Sequence, residues 1–200
     1  MTIDSLWARA GALLYDPFLA LGERRGMAAR RRALLGPLRG RVLEVGAGTG
    51  LNLPHYPDGL DLVLTEPDPA MLRRLRRRAP AVAAPAEALP FEAASFDAVV
   101  STMVLCTVED PVAAVREMRR VLKPGGRLVF IEHVRAESPR LARWQDRLVA
   151  PWRAFAIGCR CNCSTLVVLD RELQLGPVTT GAWRGMPALV RPLAIGEATA

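Results

Sequence analysis

Three glycines at alternate positions, Gly46, Gly48 and Gly50, directly follow a short apolar run. Glycine lets the backbone turn sharply and brings main-chain N–H groups close to a ligand, because it has no Cβ. Glu66 ends the next apolar run, where a carboxylate can accept hydrogen bonds from both hydroxyls of a ribose. This order of strand, glycine turn, helix, strand and acid predicts a nucleotide-type site at the edge of a parallel sheet.

A second acid, Glu44, stands two residues before the first glycine and indicates which ligand the turn binds. The dinucleotide fingerprint is G-x-G-x-x-G, in which the last glycine packs the helix close under a pyrophosphate. In this chain the order is Glu44-x-Gly46-x-Gly48-x-Gly50. A carboxylate at Glu44 would repel a phosphate but suits a positively charged amino-acid moiety. The spacing therefore favours S-adenosylmethionine over NAD.

The glycine segment resembles motif I of the class I methyltransferases, and Lys123-Pro124-Gly125-Gly126 before an apolar strand resembles a second signature of that family. A narrower resemblance, to the methyltransferase-like thiol S-methyltransferases and their small bacterial relatives, rests on Gly50-Leu51-Asn52-Leu53 with Tyr56-Pro57, Met103 to Val108, Ile131 to Val134, Trp152, and Gly158-Cys159-x-x-Asn162. It implies transfer of a methyl group from S-adenosylmethionine to a small-molecule nucleophile, above all a thiol. The animal members carry a hydrophobic membrane-anchoring N-terminus, a feature that we do not find in this sequence.

The resemblance implies a set of cofactor-binding residues along one edge of the sheet. They are Glu44, Gly46, Ala47, Gly48, Thr49, Gly50, Asn52, Glu66, Pro67, Met71, Ala86, Glu87, Ser101, Thr102 and Met103. Met71 either covers the adenine ring or packs in the core. In the family a polar side chain near position 85 grips adenine. Pro85 stands there in this chain, so the polar contact either passes to Glu87 or is lost.

The acceptor side needs alignment more than proton transfer, because methyl transfer is an in-line displacement. A thiol can dispense with a general base, since its thiolate is appreciably populated near neutral pH. His133, just past the fifth predicted strand, is the candidate catalytic residue; it either takes a proton from the acceptor or anchors the following loop. The candidate substrate-binding residues are Tyr15, Cys106, Trp144, Trp152 and Asn162.

Three cysteines at alternate positions, Cys159, Cys161 and Cys163, would present their thiolates together in an extended segment. Structural zinc sites favour C-x2-4-C spacing and need a fourth ligand. Only Cys106 and His133 could supply that ligand, and neither is adjacent in sequence. We therefore expect no metal, and instead reduced thiols near the substrate entrance; a redox-sensitive cap over the pocket is the alternative.

These residues require an α/β fold to bring them together. Apolar runs predict strands at 41–45, 61–66, 81–85, 96–101, 127–132, 174–180 and 188–195, with helices between them at 69–78, 110–122, 138–150 and 165–173. The resemblance implies a Rossmann-like, doubly wound sheet of seven strands in the order 3-2-1-4-5-7-6, with the last strand antiparallel and helices on both faces. We expect one domain over 1–200, made of a helical N-terminal lid over 1–38 and the Rossmann-like core over 39–200.

Composition limits the partners and the location. The net charge of +7 comes from arginine clusters at 24–25, 30–32 and 73–78, which lie in predicted helices and indicate solvated faces; peripheral contact with an anionic membrane is the alternative. No apolar run approaches the roughly 20 residues of a membrane span. The N-terminus lacks the features of a signal peptide, so the sequence predicts a cytoplasmic protein.

Three acceptor classes remain open. The first is a small-molecule thiol or similar nucleophile, and the second is a phospholipid head group or a quinone precursor. The third, a nucleic acid, is suggested only by the charge. Enzymes that methylate exocyclic base nitrogens typically carry an Asn/Asp-Pro-Pro-aromatic loop after the fourth strand. This chain has Ser101-Thr102-Met103-Val104 there, so we expect no nucleic-acid partner.

Overall fold

A computed structural model describes residues 14–200, so the first part of the predicted lid, 1–13, lies outside the described residues. One mixed sheet forms the centre of this part of the chain. Its strands are β1 (Arg41–Val45), β2 (Asp61–Leu64), β3 (Phe96–Thr102), β4 (Leu122–His133), β5 (Gln174–Ala182) and β6 (Pro192–Thr199). They lie in the order β2-β1-β3-β4-β6-β5; the first four are parallel, and β6 is antiparallel to both of its neighbours.

The sheet has six strands rather than the seven predicted, and its order therefore differs from the expected 3-2-1-4-5-7-6. The predicted third strand, 81–85, is reduced to a single parallel pair between Val82 and Thr65. Pro80 and Pro85 flank this segment, and the residues beside Val82 are alanines. Proline has no N–H to donate to a ladder, and alanine is a poor strand former, so the pairing ends after one residue.

Helices cover both faces of the sheet. The described elements are α1 (14–22), α2 (Ala28–Leu35), α3 (Pro69–Leu75), α4 (Pro111–Val121), α5 (Pro139–Phe155) and α6 (Thr165–Glu172). Leu43 and Val99 pack with α4 and α6 on one face, whereas Val42 and Val100 pack with Leu35 on the other. The alternation follows from the strand geometry, in which successive side chains point to opposite faces.

The predicted helix starts at Asp68 and Asp110 are confirmed, because each carboxylate caps its helix by accepting two backbone N–H bonds. Other predicted boundaries are wrong. Helix α5 continues through Pro151 to Phe155. Proline removes one backbone hydrogen bond, and Pro151 is exposed, so water can satisfy the carbonyl left over. The last strand begins at Pro192 rather than at 188, since Ala188–Val190 forms a short helical turn.

Helix α1 continues into α2 through a kinked segment, Glu23–Met27, where Gly26 adopts φ +123°. The two helices therefore form a bent N-terminal arm, and α2 packs on the sheet through Leu35. None of the helices within residues 14–200 combines the length and apolar character needed to cross a bilayer.

Candidate active site

The glycine turn after β1 lies at the carboxyl edge of the parallel strands, where ligands of such sheets bind. A cavity of about 30 Å³ separates the turn from the N-terminal arm. It is lined by Tyr15, Arg31, Glu44, Gly46, Ala47, Gly48, Thr49, Leu51, Asn52, Thr102 and Met103. Sequence-predicted residues from three separate segments thus meet at one place.

The glycines of the turn have different roles. A Cβ at Gly48, where φ is +58°, would meet nothing within 4 Å, so this backbone faces open space. A Cβ at Gly46 would lie 2.9 Å from Val104, and one at Gly50 would lie 2.8 Å from Leu53. Gly48 therefore leaves room for a ligand beside the main chain, whereas Gly46 and Gly50 allow close packing within the protein.

Glu66 follows β2 and supports the turn directly. Its Oε2 accepts the Gly48 N–H at 2.8 Å, and its Oε1 accepts the Asp68 N–H at 2.8 Å. Burial raises the pKa of the Glu66 carboxyl. Each carboxylate oxygen has two lone pairs. Glu66 can therefore hold the turn and still accept further hydrogen bonds from a sugar.

Glu44 lies buried in β1 beneath the turn. Its Oε1 accepts from Asn52 Nδ2 at 2.9 Å and its Oε2 from the Tyr56 hydroxyl at 2.8 Å. Burial raises the pKa of Glu44 to about 7, against the opposing effect of the two hydrogen bonds. A positive charge bound in the cavity would favour the ionised form of this carboxyl.

Arg31 is a member of the cavity that sequence reasoning missed. It comes from α2, is only 4% exposed, and donates from Nη1 to Asn52 Oδ1 at 2.6 Å. Its Nη2 pairs with Glu23 Oε1 at 3.0 Å. The residue was hidden in the 30–32 arginine cluster, which we interpreted as a solvated face. Its neighbour Arg32 is indeed exposed, so only the helix orientation distinguishes the two.

The arm is attached to the turn by Asp16. Its Oδ1 accepts from the Thr49 hydroxyl at 2.5 Å, and its Oδ2 pairs with Arg74 Nη2 at 2.8 Å. Tyr15, the preceding residue, packs on Ala70 and Met71 of α3. Burial raises the pKa of the Tyr15 phenol, so this group stays protonated at neutral pH. Met71 thus contacts the N-terminal arm and lies outside the cavity lining.

Several predicted cofactor residues lie around the cavity without lining it. Ala86 is part of the main core, and Pro67 is exposed. The Oε1 atom of Glu87 accepts the N–H groups of Glu109 and Asp110 at 2.9 and 3.3 Å, so this carboxylate contacts the loop after β3.

The loop after β3 is fixed by Glu132 of β4. This fully buried carboxylate accepts from the Ser101 hydroxyl at 2.6 Å and from the Val104 and Leu105 N–H groups at 3.0 and 3.2 Å. Met103 adopts a left-handed backbone with φ +60°, which is rare for a non-glycine residue. The loop therefore presents Thr102 and Met103 to the cavity in a strained but well-supported conformation.

His133 lies close to two of the cysteines rather than to solvent. Its Nδ1 is 3.3 Å from Cys159 Sγ, and one ring nitrogen of His133, Cys159 Sγ and Cys106 Sγ all lie within 4.8 Å of one another. Its Nε2 is buried with no hydrogen-bond partner among residues 14–200. The hydrogen bond to Cys106 and the nearby His133 ring lower the pKa of the Cys159 thiol, and the same bond together with burial raises the pKa of Cys106. The alternation of Cys159, Cys161 and Cys163 did not predict this grouping.

The other candidate acceptor residues are dispersed. Trp152 is half-buried and packs with Tyr15, Met103 and Cys106 in one apolar cluster. Trp144 is 54% exposed on α5, below Arg147. Asn162 donates to Asp146 Oδ1 at 3.1 Å on the surface. Only Tyr15, Cys106 and Trp152 of this set therefore come together.

A larger depression of about 610 Å³ lies elsewhere, around Arg39, Arg41 and Asp61. It sits where β1 and β2 begin, at the amino edge of the sheet. Ligands of parallel α/β sheets bind at the carboxyl edge. We therefore assign the site to the smaller cavity at the glycine turn.

Comparisons with known protein sequences find methyltransferases. A family model described as a methyltransferase domain matches residues 43–130. The chain is 35% identical over 164 residues to thiol S-methyltransferase TMT1A of Homo sapiens, covering 72% of this chain and 67% of that protein. It is 42% identical over 142 residues to a demethylmenaquinone methyltransferase of Renibacterium salmoninarum, covering 68% and 60%. The chain spans 61% to 67% of the length of the thiol S-methyltransferases that it matches.

Comparison with solved structures also finds a methyltransferase. A crystal structure of an S-adenosylmethionine-dependent methyltransferase from Thermotoga maritima superimposes with a TM-score of 0.72 at 22% identity, covering 96% of this chain and 97% of that one. At this identity the likeness concerns the fold. The arrangement of strands and helices is therefore shared with a solved methyltransferase.

Proposed function

Because this chain belongs to the class I S-adenosylmethionine-dependent methyltransferases, we propose that its methyl acceptor is a small-molecule thiol. When bound, S-adenosylmethionine supplies a methyl group on a positively charged sulfur, which leaves as a neutral thioether. The enzyme's own residues have to bind this donor, align the acceptor with the methyl group and exclude water.

The residues at the glycine turn fit the donor. The open space at Gly48 lets the main chain approach a ligand, and Glu66 beside it offers lone pairs for ribose hydroxyls. Glu44 lies across the cavity, where its carboxylate would favour the amino group of the methionine moiety. Arg31 offers a guanidinium to the carboxylate of that moiety. These roles are proposed from placement and charge.

The observation that carries the thiol assignment is the 35% identity to thiol S-methyltransferase TMT1A, over 72% of this chain. The surroundings of the cavity support it. Trp152, Trp183, Met186 and Ile131 form an apolar cluster next to Tyr15 and Met103, which suits an apolar acceptor. A thiol also needs little help in losing its proton.

The N-terminal arm acts as a lid in this proposal. The cavity of about 30 Å³ is far smaller than the roughly 300 Å³ at which ligand pockets begin. The Asp16 contacts to Thr49 and Arg74 join the arm to the glycine turn and to helix α3. Donor entry therefore requires these contacts to open, and their closure would exclude water.

A quinone precursor is the second candidate acceptor. The 42% identity to a demethylmenaquinone methyltransferase, over 68% of this chain, favours it. The reacting atom would then be a ring carbon, which needs a proton acceptor more than a thiol does. His133 is the candidate for that proton, through the buried Nε2 atom.

The test is a parallel assay with methyl-labelled S-adenosylmethionine and a panel of alkyl and aryl thiols, phenols, amines, demethylated quinones and phospholipid vesicles. We expect label in the thiols, with turnover increasing with their apolar character. Label found only in quinones would replace the thiol with the second candidate. Label found only in phenols, amines or lipids would contradict both.

A further inference from the structure

Cys106, His133 and Cys159 form a buried side-chain cluster that the proposed methyl transfer does not require. One nitrogen and two sulfurs lie within 4.8 Å of one another, and all three residues are buried. The residues come from the loop after β3, the end of β4 and the loop after α5, respectively. Ligand atoms this close to one another can bind a single metal ion after small side-chain movements.

The backbone holds these three segments together independently of the side chains in the cluster. The Arg160 N–H donates to the Cys106 carbonyl at 2.8 Å, which joins the two cysteine loops. The Thr165 hydroxyl donates to the His133 carbonyl at 2.8 Å, which joins the start of α6, directly after the Cys159 loop, to the end of β4. The three ligand atoms are therefore positioned by the fold itself.

The remaining cysteines point elsewhere. Cys161 Sγ lies 3.7 Å from the Gln145 carbonyl, and Cys163 Sγ lies 2.9 Å from the Arg160 carbonyl. Within residues 14–200 the cluster therefore has two sulfurs and one nitrogen. Three protein ligands with an open fourth position are typical of catalytic zinc sites, whereas structural zinc sites have four.

We propose that Cys106, His133 and Cys159 bind one Zn²⁺ ion and that, given the thiol acceptor proposed above, the fourth position binds the acceptor sulfur. Two thiolates and an imidazole are ligands that Zn²⁺ prefers. The two cysteine thiolate charges neutralise the ion before the acceptor binds, so the free site suits the apolar cluster of Leu19, Met27, Ile131, Trp183, Met186, Val190 and Leu193 around it.

The cluster lies beside the donor cavity. Tyr15, Leu51 and Met103 line that cavity and also pack in the apolar cluster that contains Cys106 and Cys159. A thiol that takes the fourth position would form a sulfur–zinc bond, displace a water molecule bound to the ion there and release its proton to bulk water. No electron is transferred in this exchange. The acceptor would thereby be held as a thiolate next to the donor.

The test uses Co²⁺ as a spectroscopic probe for Zn²⁺ in the reduced, chelator-treated full-length chain. We expect one equivalent of Co²⁺ to give sulfur-to-cobalt charge-transfer absorption and the strong visible bands of a tetrahedral site. Zn²⁺ should then displace the Co²⁺ and abolish both signals. Addition of a small aryl thiol should increase the charge-transfer absorption, because a third sulfur joins the metal.

Matched variants assign the ligands. Cys106→Ser and Cys159→Ser should lose the charge-transfer absorption at one equivalent, and His133→Gln should lose the tetrahedral visible bands. Cys161→Ser, a change at a buried cysteine outside the cluster, should retain both signals. Thermal unfolding of each metal-free variant separates loss of a ligand from loss of the fold, and the comparison is made among the variants that fold.

Two results would overturn the inference. One is the absence of charge-transfer absorption in the wild type, and the other is signals that persist in both Cys106→Ser and Cys159→Ser. A charge-transfer band that thiols leave unchanged would refute the fourth-position role. Thiol methylation that persists in chelator-treated protein would refute the metal's role while leaving the proposed function intact. Thiol-sensitive Co²⁺ spectra without thiol methylation would refute the proposed function alone.

Discussion

The Oδ1 atom of Asp16 accepts a hydrogen bond of 2.5 Å from the hydroxyl of Thr49, and this contact fixes the N-terminal arm to the glycine turn. The other carboxylate oxygen pairs with Arg74 at 2.8 Å. One residue of the arm therefore contacts both the turn after β1 and helix α3. In the proposed function these two polar contacts close the donor site, and neither of them involves a residue of the sheet.

The Asp16→Ala substitution should make the N-terminal arm open more readily. We expect the association rate constant for S-adenosylhomocysteine, followed by stopped-flow tryptophan fluorescence, to rise about fivefold, since a partly buried pair contributes about 1 kcal/mol. Asp61→Ala is the control, because it removes an exposed ion pair with Arg41 at the opposite edge of the sheet. Equal rates in the wild type and Asp16→Ala would mean that the arm does not limit entry.

Loss of the Glu66 carboxylate should weaken donor binding. Hydrogen bonds to a charged group contribute about 1.5–3 kcal/mol, so Glu66→Ala should raise the Kd for S-adenosylhomocysteine by about ten- to a hundredfold in calorimetry. Glu117→Ala is matched, because Glu117 also accepts a backbone N–H, from Leu89 at 2.9 Å, but lies on α4. If both variants bind like the wild type, Glu66 does not contact the donor.

Donor affinity should depend on pH through Glu44. Its pKa is raised to about 7 by burial, and the ammonium group of the donor favours the ionised form. Binding should therefore release a proton, and affinity should fall by up to about tenfold per pH unit below pH 7. Calorimetry from pH 5.5 to 8, in buffers of different ionisation enthalpy, measures both effects. Glu44→Gln should flatten the profile, and a profile that persists in this variant would assign the titration to another group.

Arg31 should contribute to the free energy of unfolding, whereas its neighbour Arg32 should contribute little. Removal of one partner of a buried ion pair costs about 3–5 kcal/mol, and Glu23 and Asn52 would both lose a donor in Arg31→Ala. Arg32 is exposed, so Arg32→Ala should change the free energy of unfolding by less than about 0.5 kcal/mol. Urea unfolding of the two variants makes the comparison. Similar values for both would show that the Arg31 network is energetically neutral.

Strands with continuous apolar runs were predictable. The first strand was predicted with the bounds 41–45 that β1 has in the structure, and β3 extends the prediction 96–101 by one residue. The prediction of a strand at 81–85 was wrong, because Pro80 before the segment and Pro85 at its end cannot donate to a ladder, and Val82 is the one good strand former between them. The predicted start of the next strand, at 127, was five residues too late, since β4 begins at Leu122 and includes Pro124 and Gly125 in a stretch of irregular pairing.

The sequence by itself determined the glycine turn, the acids Glu44 and Glu66 and the methyltransferase family, because these depend on spacing within single strands and turns. Only the tertiary structure decided which of two adjacent arginines is buried, and that Cys159 lies beside Cys106 and His133 rather than acting with Cys161 and Cys163. The physical reason is that helix orientation and loop docking depend on packing between distant segments. Local residue patterns do not record that packing.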